Sequence, residues 1–84
     1  MAIDASTVRR AQAGERDAFD RLIDDCGERL RRVAYGILRD RSLADDAVQR
    51  TFLAIWKDLG KLREPERFDA WIYQLLVRAC SAEA

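Results

Sequence analysis

Residues Ser42–Leu59, SLADDAVQRTFLAIWKDL, decide how the chain folds. Ala44, Ala47, Val48, Thr51, Phe52, Ile55, Trp56 and Leu59 recur at three-and-four spacing. That spacing lines them along one side of an α-helix, and it makes that side a core face. The other side carries Asp45, Asp46, Gln49, Arg50, Leu53 and Lys57. Asp46, Gln49, Arg50, Leu53 and Lys57 again share one face. A leucine ringed by acid, amide and base suits a docking surface. Single surface apolar residues are also ordinary, so spacing alone leaves a solvated face as the plainer reading.

Working upstream, the same period runs from about Asp17 to Arg39. Phe19, Leu22, Ile23, Cys26, Leu30, Val33, Ala34, Ile37 and Leu38 form its apolar side, with Asp17 as the N-cap candidate. Gly27 lies inside this helix, where glycine costs about 1 kcal/mol relative to alanine. A bend or a close helix contact is expected there. Acids lead this helix, and Arg29, Arg31, Arg32, Arg39 and Arg41 crowd its end, opposed only by Glu28 and Asp40. The arginines complement the helix dipole, and they equally suit a partner. Asp40 and Arg41 make the turn, and Ser42 with Asp45 resembles a capping box. Before Gly14, Ile3, Val8 and Ala11 give a short, loosely packed first helix, capped by Asp4 or Ser6.

Downstream, Gly60 closes the central helix and Lys61–Arg67, KLREPER, reads as a charged loop. Pro65 disfavours helix at Glu64 and suits the first turn of the next helix. That helix starts at about Glu66 or Phe68, with Phe68, Trp71, Ile72, Leu75, Leu76 and Ala79 as its core stripe. Tyr73, Gln74, Val77, Arg78 and Ser81 lie on its outer face. Gln74 and Arg78 are one turn apart and point the same way. They suit base edges or phosphate, or simply a wet face.

The chain is therefore all-α: a compact bundle of three long helices plus a short N-terminal one. Its 84 residues make one small domain. No apolar run reaches the roughly 18 residues of a membrane span. No export signal opens the chain, so a cytoplasmic location is expected and no membrane partner. Fifteen basic and fifteen acidic residues cancel, which argues against strong DNA affinity by the chain alone. Histidine is absent, and Cys26 and Cys80 are far apart on apolar faces. A tetrahedral zinc site wants four such ligands, so no metal is expected and the cysteines read as buried core. The commonest general base is missing, as is any glycine-rich phosphate loop. The adjacent acids Asp24–Asp25 and Asp45–Asp46 splay apart on a helix. No catalytic residue and no cofactor are expected, and the chain does not read as an enzyme.

Three blocks carry a resemblance. DDAVQRTFLAIW resembles the D-x-V-Q-x-T-F-x-x-x-W signature of region 2 in bacterial RNA polymerase sigma factors of the extracytoplasmic-function group. ERDAFDRLIDDCGERLRRVAYGILRD is similar to the stretch that precedes it in the family, and RFDAWIYQLLVRAC to the block that follows. The blocks stand in the family's order and span roughly Glu15 to Cys80.

The resemblance implies a transcription initiation module that binds RNA polymerase core and recognises and melts the minus-ten promoter element. It divides the chain into a short helix (1–14), a region 2.1-like helix (15–41), a core-polymerase-binding helix (42–60), a promoter-base loop (61–67) and a promoter-recognition helix (68–84). Asp46, Gln49, Arg50 and Leu53 would meet the clamp helices of the polymerase β' subunit. Asp46 and Gln49 match the family's D-x-x-Q, whereas Arg50 replaces its acid. Phe52 and Trp56 match packing residues. Lys61, Arg63, Arg67, Tyr73, Gln74 and Arg78 would face promoter DNA, the non-template strand of the minus-ten element. Asp69 and Gln74 stand where the family often has arginine, and Arg78 where it has asparagine. An anti-sigma factor is a further possible partner. Nothing here resembles region 4, the second helical domain of such proteins, so region 4 is expected to be absent from the chain. The alternative is a helical protein-interaction (adaptor) domain without a DNA role, using the Asp46–Gln49–Leu53 face.

Overall fold

A computed structural model of the protein describes residues 3–83. The outermost residues of the expected 1–14 and 68–84 segments lie outside the described residues. In chain order the elements are α1 (Ala5–Gln12), α2 (Arg16–Leu38), α3 (Arg41–Asp58), two short 3-10 turns, η1 (Leu59–Lys61) and η2 (Pro65–Arg67), and α4 (Phe68–Glu83). No strand occurs among the described residues. The all-α expectation holds.

α3 packs against both α2 and α4, and α1 lies along α2. The core joins all four helices through Val8, Leu22, Cys26, Leu30, Ala34, Ala44, Ala47, Val48, Ile55, Leu59, Phe68, Ile72, Leu76 and Cys80. Each large apolar side chain among them gives about 1.5–3 kcal/mol on burial. Thr51 is the buried polar member of α3, and its Oγ1 donates to the Ala47 carbonyl at 2.8 Å. Its hydroxyl is therefore satisfied within its own helix. The Cα radius of gyration is 12.3 Å, close to the roughly 12 Å of a compact chain of this length.

Gly27 is a close helix contact, as its position suggested. A Cβ there would meet Phe52 Cζ at 3.3 Å, so the glycine lets α3 approach α2.

The caps and margins depart from the expected ones. α2 begins at Arg16 after Glu15, so Asp17 sits in its first turn instead of capping it. Arg39 ends α2 in the left-handed conformation, with φ 56°. Asp40, not Ser42, caps α3, accepting from the Leu43 N–H at 3.0 Å. α1 is not loosely packed: Val8 is fully buried and Gln12 bonds to distant backbone. Asp4 does cap α1, accepting from the Ser6 N–H, and this bond lowers its carboxyl pKa. Two expected core residues face solvent, Ile37 and Trp56. Both lie at the edges of their stripes, where neighbouring helices leave about half or more of each exposed.

Candidate functional site

The outer face of α3 is one continuous exposed surface. Asp46, Gln49, Arg50, Leu53 and Lys57 are all exposed, with Leu53 67% accessible. They stand opposite Ala47, Val48, Thr51 and Ile55, whose burial fixes the rotation of the helix. The structure thus brings together all four residues expected to meet the polymerase.

Trp56 enlarges that face. It is 61% accessible and meets the edge of Phe19, with ring centroids 4.9 Å apart and planes at 79°. Beside it, Arg16, Phe19, Asp20, Phe52, Leu53 and Trp56 line a shallow groove between α2 and α3. Trp56 is therefore largely exposed on this face and not the core residue its sequence position implied. Its place on the edge of the apolar stripe, next to Leu53, was the available signal.

Arg50, the charge departure, faces the end of α4. Its Nε lies 3.9 Å from Glu83 Oε2, an ion pair longer than a hydrogen bond.

The loop after α3 alternates anchors and cations. Leu59 and Pro65 are buried and Leu62 is half-buried, whereas Lys61, Arg63 and Arg67 are exposed. Lys61 pairs with Asp58 at 3.4 Å and Arg67 with Glu64 at 3.1 Å. Among the described residues Arg63 has no such partner. The loop is more ordered than its charge suggested, because η1 and η2 give it two hydrogen-bonded turns.

The expected DNA-facing residues of α4 are exposed but divided. Gln74 and Arg78 share one strip. Tyr73 is about 100° around the helix and borders a small cleft with Arg29, Leu30, Val33, Asp69 and Ile72.

Asp69 has a role that sequence spacing did not reveal. Its Oδ1 accepts from Arg29 Nη2 at 2.8 Å, and its Oδ2 from the Ile3 N–H at 3.1 Å. It ties the start of α4 to α2 and to the N-terminal segment. Arg29 therefore belongs to the scaffold. Of the remaining arginines in its group, Arg31, Arg32 and Arg41 line an open groove with Glu28, Tyr35 and Asp45.

Neither cysteine is a site. Cys26 and Cys80 are free, buried thiols, and burial pushes the Cys26 thiol up to about 11. No cluster of His, Cys, Asp or Glu suited to a metal occurs among the described residues. No helix among them is long and apolar enough to cross a membrane.

Comparison with known proteins bears on this arrangement directly. The sequence model of the family described as "Sigma-70 region 2" matches residues 22–83. The chain is 32% identical over 77 residues to an extracytoplasmic-function RNA polymerase sigma factor, SigM, of Mycobacterium tuberculosis, covering 92% of this chain and 39% of that one. It is 38% identical over 66 residues to another, BldN of Streptomyces coelicolor, covering 77% and 25%. It is 32% identical over 73 residues to the RNA polymerase sigma factor NccH of Alcaligenes xylosoxydans xylosoxydans, covering 87% and 39%. The chain thus spans about two fifths or less of the length of these relatives. No solved structure matches it significantly. A helix order that presents one exposed α3 face, with a family match running from α2 to the end of α4, means that the chain belongs to the sigma-70 region 2 family, with extracytoplasmic-function sigma factors among its relatives.

Proposed function

We propose that this chain is the part of a sigma factor that binds RNA polymerase core and captures the minus-ten promoter element, without catalysis of its own. The observation that carries the reading is the α3 face. Asp46, Gln49, Arg50 and Leu53 stand exposed in one patch on the helix that a region 2 domain presents to the polymerase. The clamp helices of the β' subunit are the partner. Leu53 and Trp56 supply apolar anchors, and Asp46 and Gln49 supply a charge and an amide at the rim. Such a division, an apolar centre with polar surroundings, suits a protein interface.

The second surface is the loop Lys61–Arg67 with the outer side of α4. Lys61, Arg63 and Arg67 supply charge for the non-template strand, and Tyr73, Gln74 and Arg78 supply stacking and polar contacts. Capture of a single strand relies on such stacking more than on net charge. This agrees with a chain of zero net charge. The segment boundaries expected from sequence (42–60 for polymerase, 61–67 for an extruded base, 68–84 for promoter recognition) belong to the same reading. An anti-sigma factor would compete for the Leu53–Trp56 surface. The work is done in the cytoplasm. The adaptor alternative has no finding in its favour.

The test is titration of this chain onto RNA polymerase core, with Gln49→Ala, Leu53→Ala and Arg50→Glu beside it. Loss of a central anchor at an interface costs about tenfold or more in affinity, so Leu53→Ala binds at least that much more weakly, and Gln49→Ala, at the rim, loses less, while both keep their helicity. Arg50→Glu, which reinstates the family's acid, binds more tightly. Equal binding by all four proteins would sink the assignment of this face.

A further inference from the structure

Helix α1 makes three side-chain hydrogen bonds to the promoter-facing segment. Gln12 Nε2 donates to the Leu59 carbonyl at 3.0 Å and to the Leu62 carbonyl at 2.8 Å, bridging the two ends of the η1 turn. Arg9 Nη2 reaches Glu66 Oε2 at 3.1 Å. Just before α1, the Ile3 N–H donates to Asp69. α1 also packs on η2, where Pro65 is buried.

These contacts have a direction. Two carbonyls face one side chain, and of the two ends of the amide only the NH2 can serve both. Without that donor the Leu62 carbonyl, in a partly buried spot, loses its partner and the Leu59 carbonyl keeps only the Leu62 N–H, and such groups are costly to strand. Val8, fully buried, holds α1 at the distance where Gln12 reaches. The cationic side chains of the loop, Lys61, Arg63 and Arg67, are exposed to solvent. α1 thus grips the loop through its backbone and leaves these cations exposed. The family match begins at residue 22, beyond α1.

We propose that α1 is a brace that holds loop 59–67 in its base-receiving shape, with Gln12 as the positioning residue. The inference rests on the reading that this loop faces the promoter. A base captured by a loop needs that loop fixed beforehand, because any ordering left to the moment of binding is subtracted from affinity. Gln12 shapes the site without touching DNA.

The experiment compares the parent with Gln12→Met, which keeps length and removes the donor, and Gln12→Lys, which restores a donor. Amide exchange is followed first in each chain alone. In Gln12→Met, protection of residues 59–67 falls about tenfold while α2 and α3 exchange as in the parent, which also shows that the variant folds. Each chain is then bound to RNA polymerase core. A single-stranded oligonucleotide enriched from a random pool by the parent complex serves as the probe. Core affinity is the same for all three proteins. Affinity for the oligonucleotide falls about tenfold in Gln12→Met and recovers in Gln12→Lys. A role confined to packing would not separate methionine from lysine in this way. Parent-like loop exchange and oligonucleotide affinity in Gln12→Met would overturn the brace alone. A parent complex that enriches no oligonucleotide would overturn the promoter reading of the loop, and the brace with it.

Discussion

Asp69 is a carboxylate with two donors from distant parts of the chain, Arg29 and the Ile3 N–H. Removing it takes one acceptor from each. Its site is about one-third exposed, so water recovers part of the loss. Asp69→Ala is expected to lose about 1 kcal/mol in a denaturant titration, and Asp69→Asn, which keeps one acceptor, less. The cysteines make a second prediction at this scale. Burial raises both thiols, Cys26 to about 11, so the neutral form is the one the fold favours. The thiolate is the reactive species, and it stays scarce until the pH passes that value. Iodoacetamide at pH 8 is therefore expected to label neither cysteine in the folded chain and both in denaturant. Rapid labelling of the folded chain would contradict the buried assignment. The cysteines were legible in the sequence because helical spacing alone put them on apolar faces. Asp69 was not, because nothing local distinguishes a surface acid from one whose partners lie 40 and 66 positions away.

The helices themselves were largely readable, since burial of one side in four helices follows an apolar period that needs no partner to be seen. Their ends were less so. Asp17 and Ser42 are good cap types, yet the chain turns into the helix earlier in both cases, at Glu15 and Asp40. Which of two adjacent candidates caps is decided by the path of the preceding turn. For α3 that turn is set by Arg39 in its left-handed conformation. Asp40→Ala is accordingly expected to cost about 1 kcal/mol in thermal or chemical unfolding, and Ser42→Ala to stay within about 0.5 kcal/mol of the parent. The glycines of α2 divide in the same measurement. Nothing lies within 4 Å of a Cβ at Gly36, whereas one at Gly27 presses on Phe52 Cζ at 3.3 Å. Gly36→Ala is expected to gain about 0.5–1 kcal/mol from helix propensity. Gly27→Ala gains less, because the Phe52 ring must give way. An equal gain at both positions would mean that α2 and α3 are not this close.

At the scale of the whole molecule, neutral charge and exposed apolar anchors belong to one design. A chain with fifteen charges of each sign has little to gain from releasing counterions on duplex DNA. No binding to non-specific duplex is expected at physiological salt, measured by fluorescence anisotropy. Tight, salt-sensitive binding would point to a regulator acting alone. The α3 face was legible as a patch, since Asp46, Gln49, Arg50 and Leu53 share helical spacing. Trp56 was less so, because its place on the edge of the apolar stripe hints at exposure but not at how little of the ring Phe19 of α2 covers. The proposal that the chain docks on its partner through that patch is open to one direct measurement. A photo-crosslinking residue is placed at position 53, and in a second protein at position 36, on the exposed side of α2. Each is irradiated in complex with RNA polymerase core. The account predicts an adduct from position 53 that maps to the clamp helices of the β' subunit, and none from position 36. An adduct from position 36 with none from position 53 would contradict it.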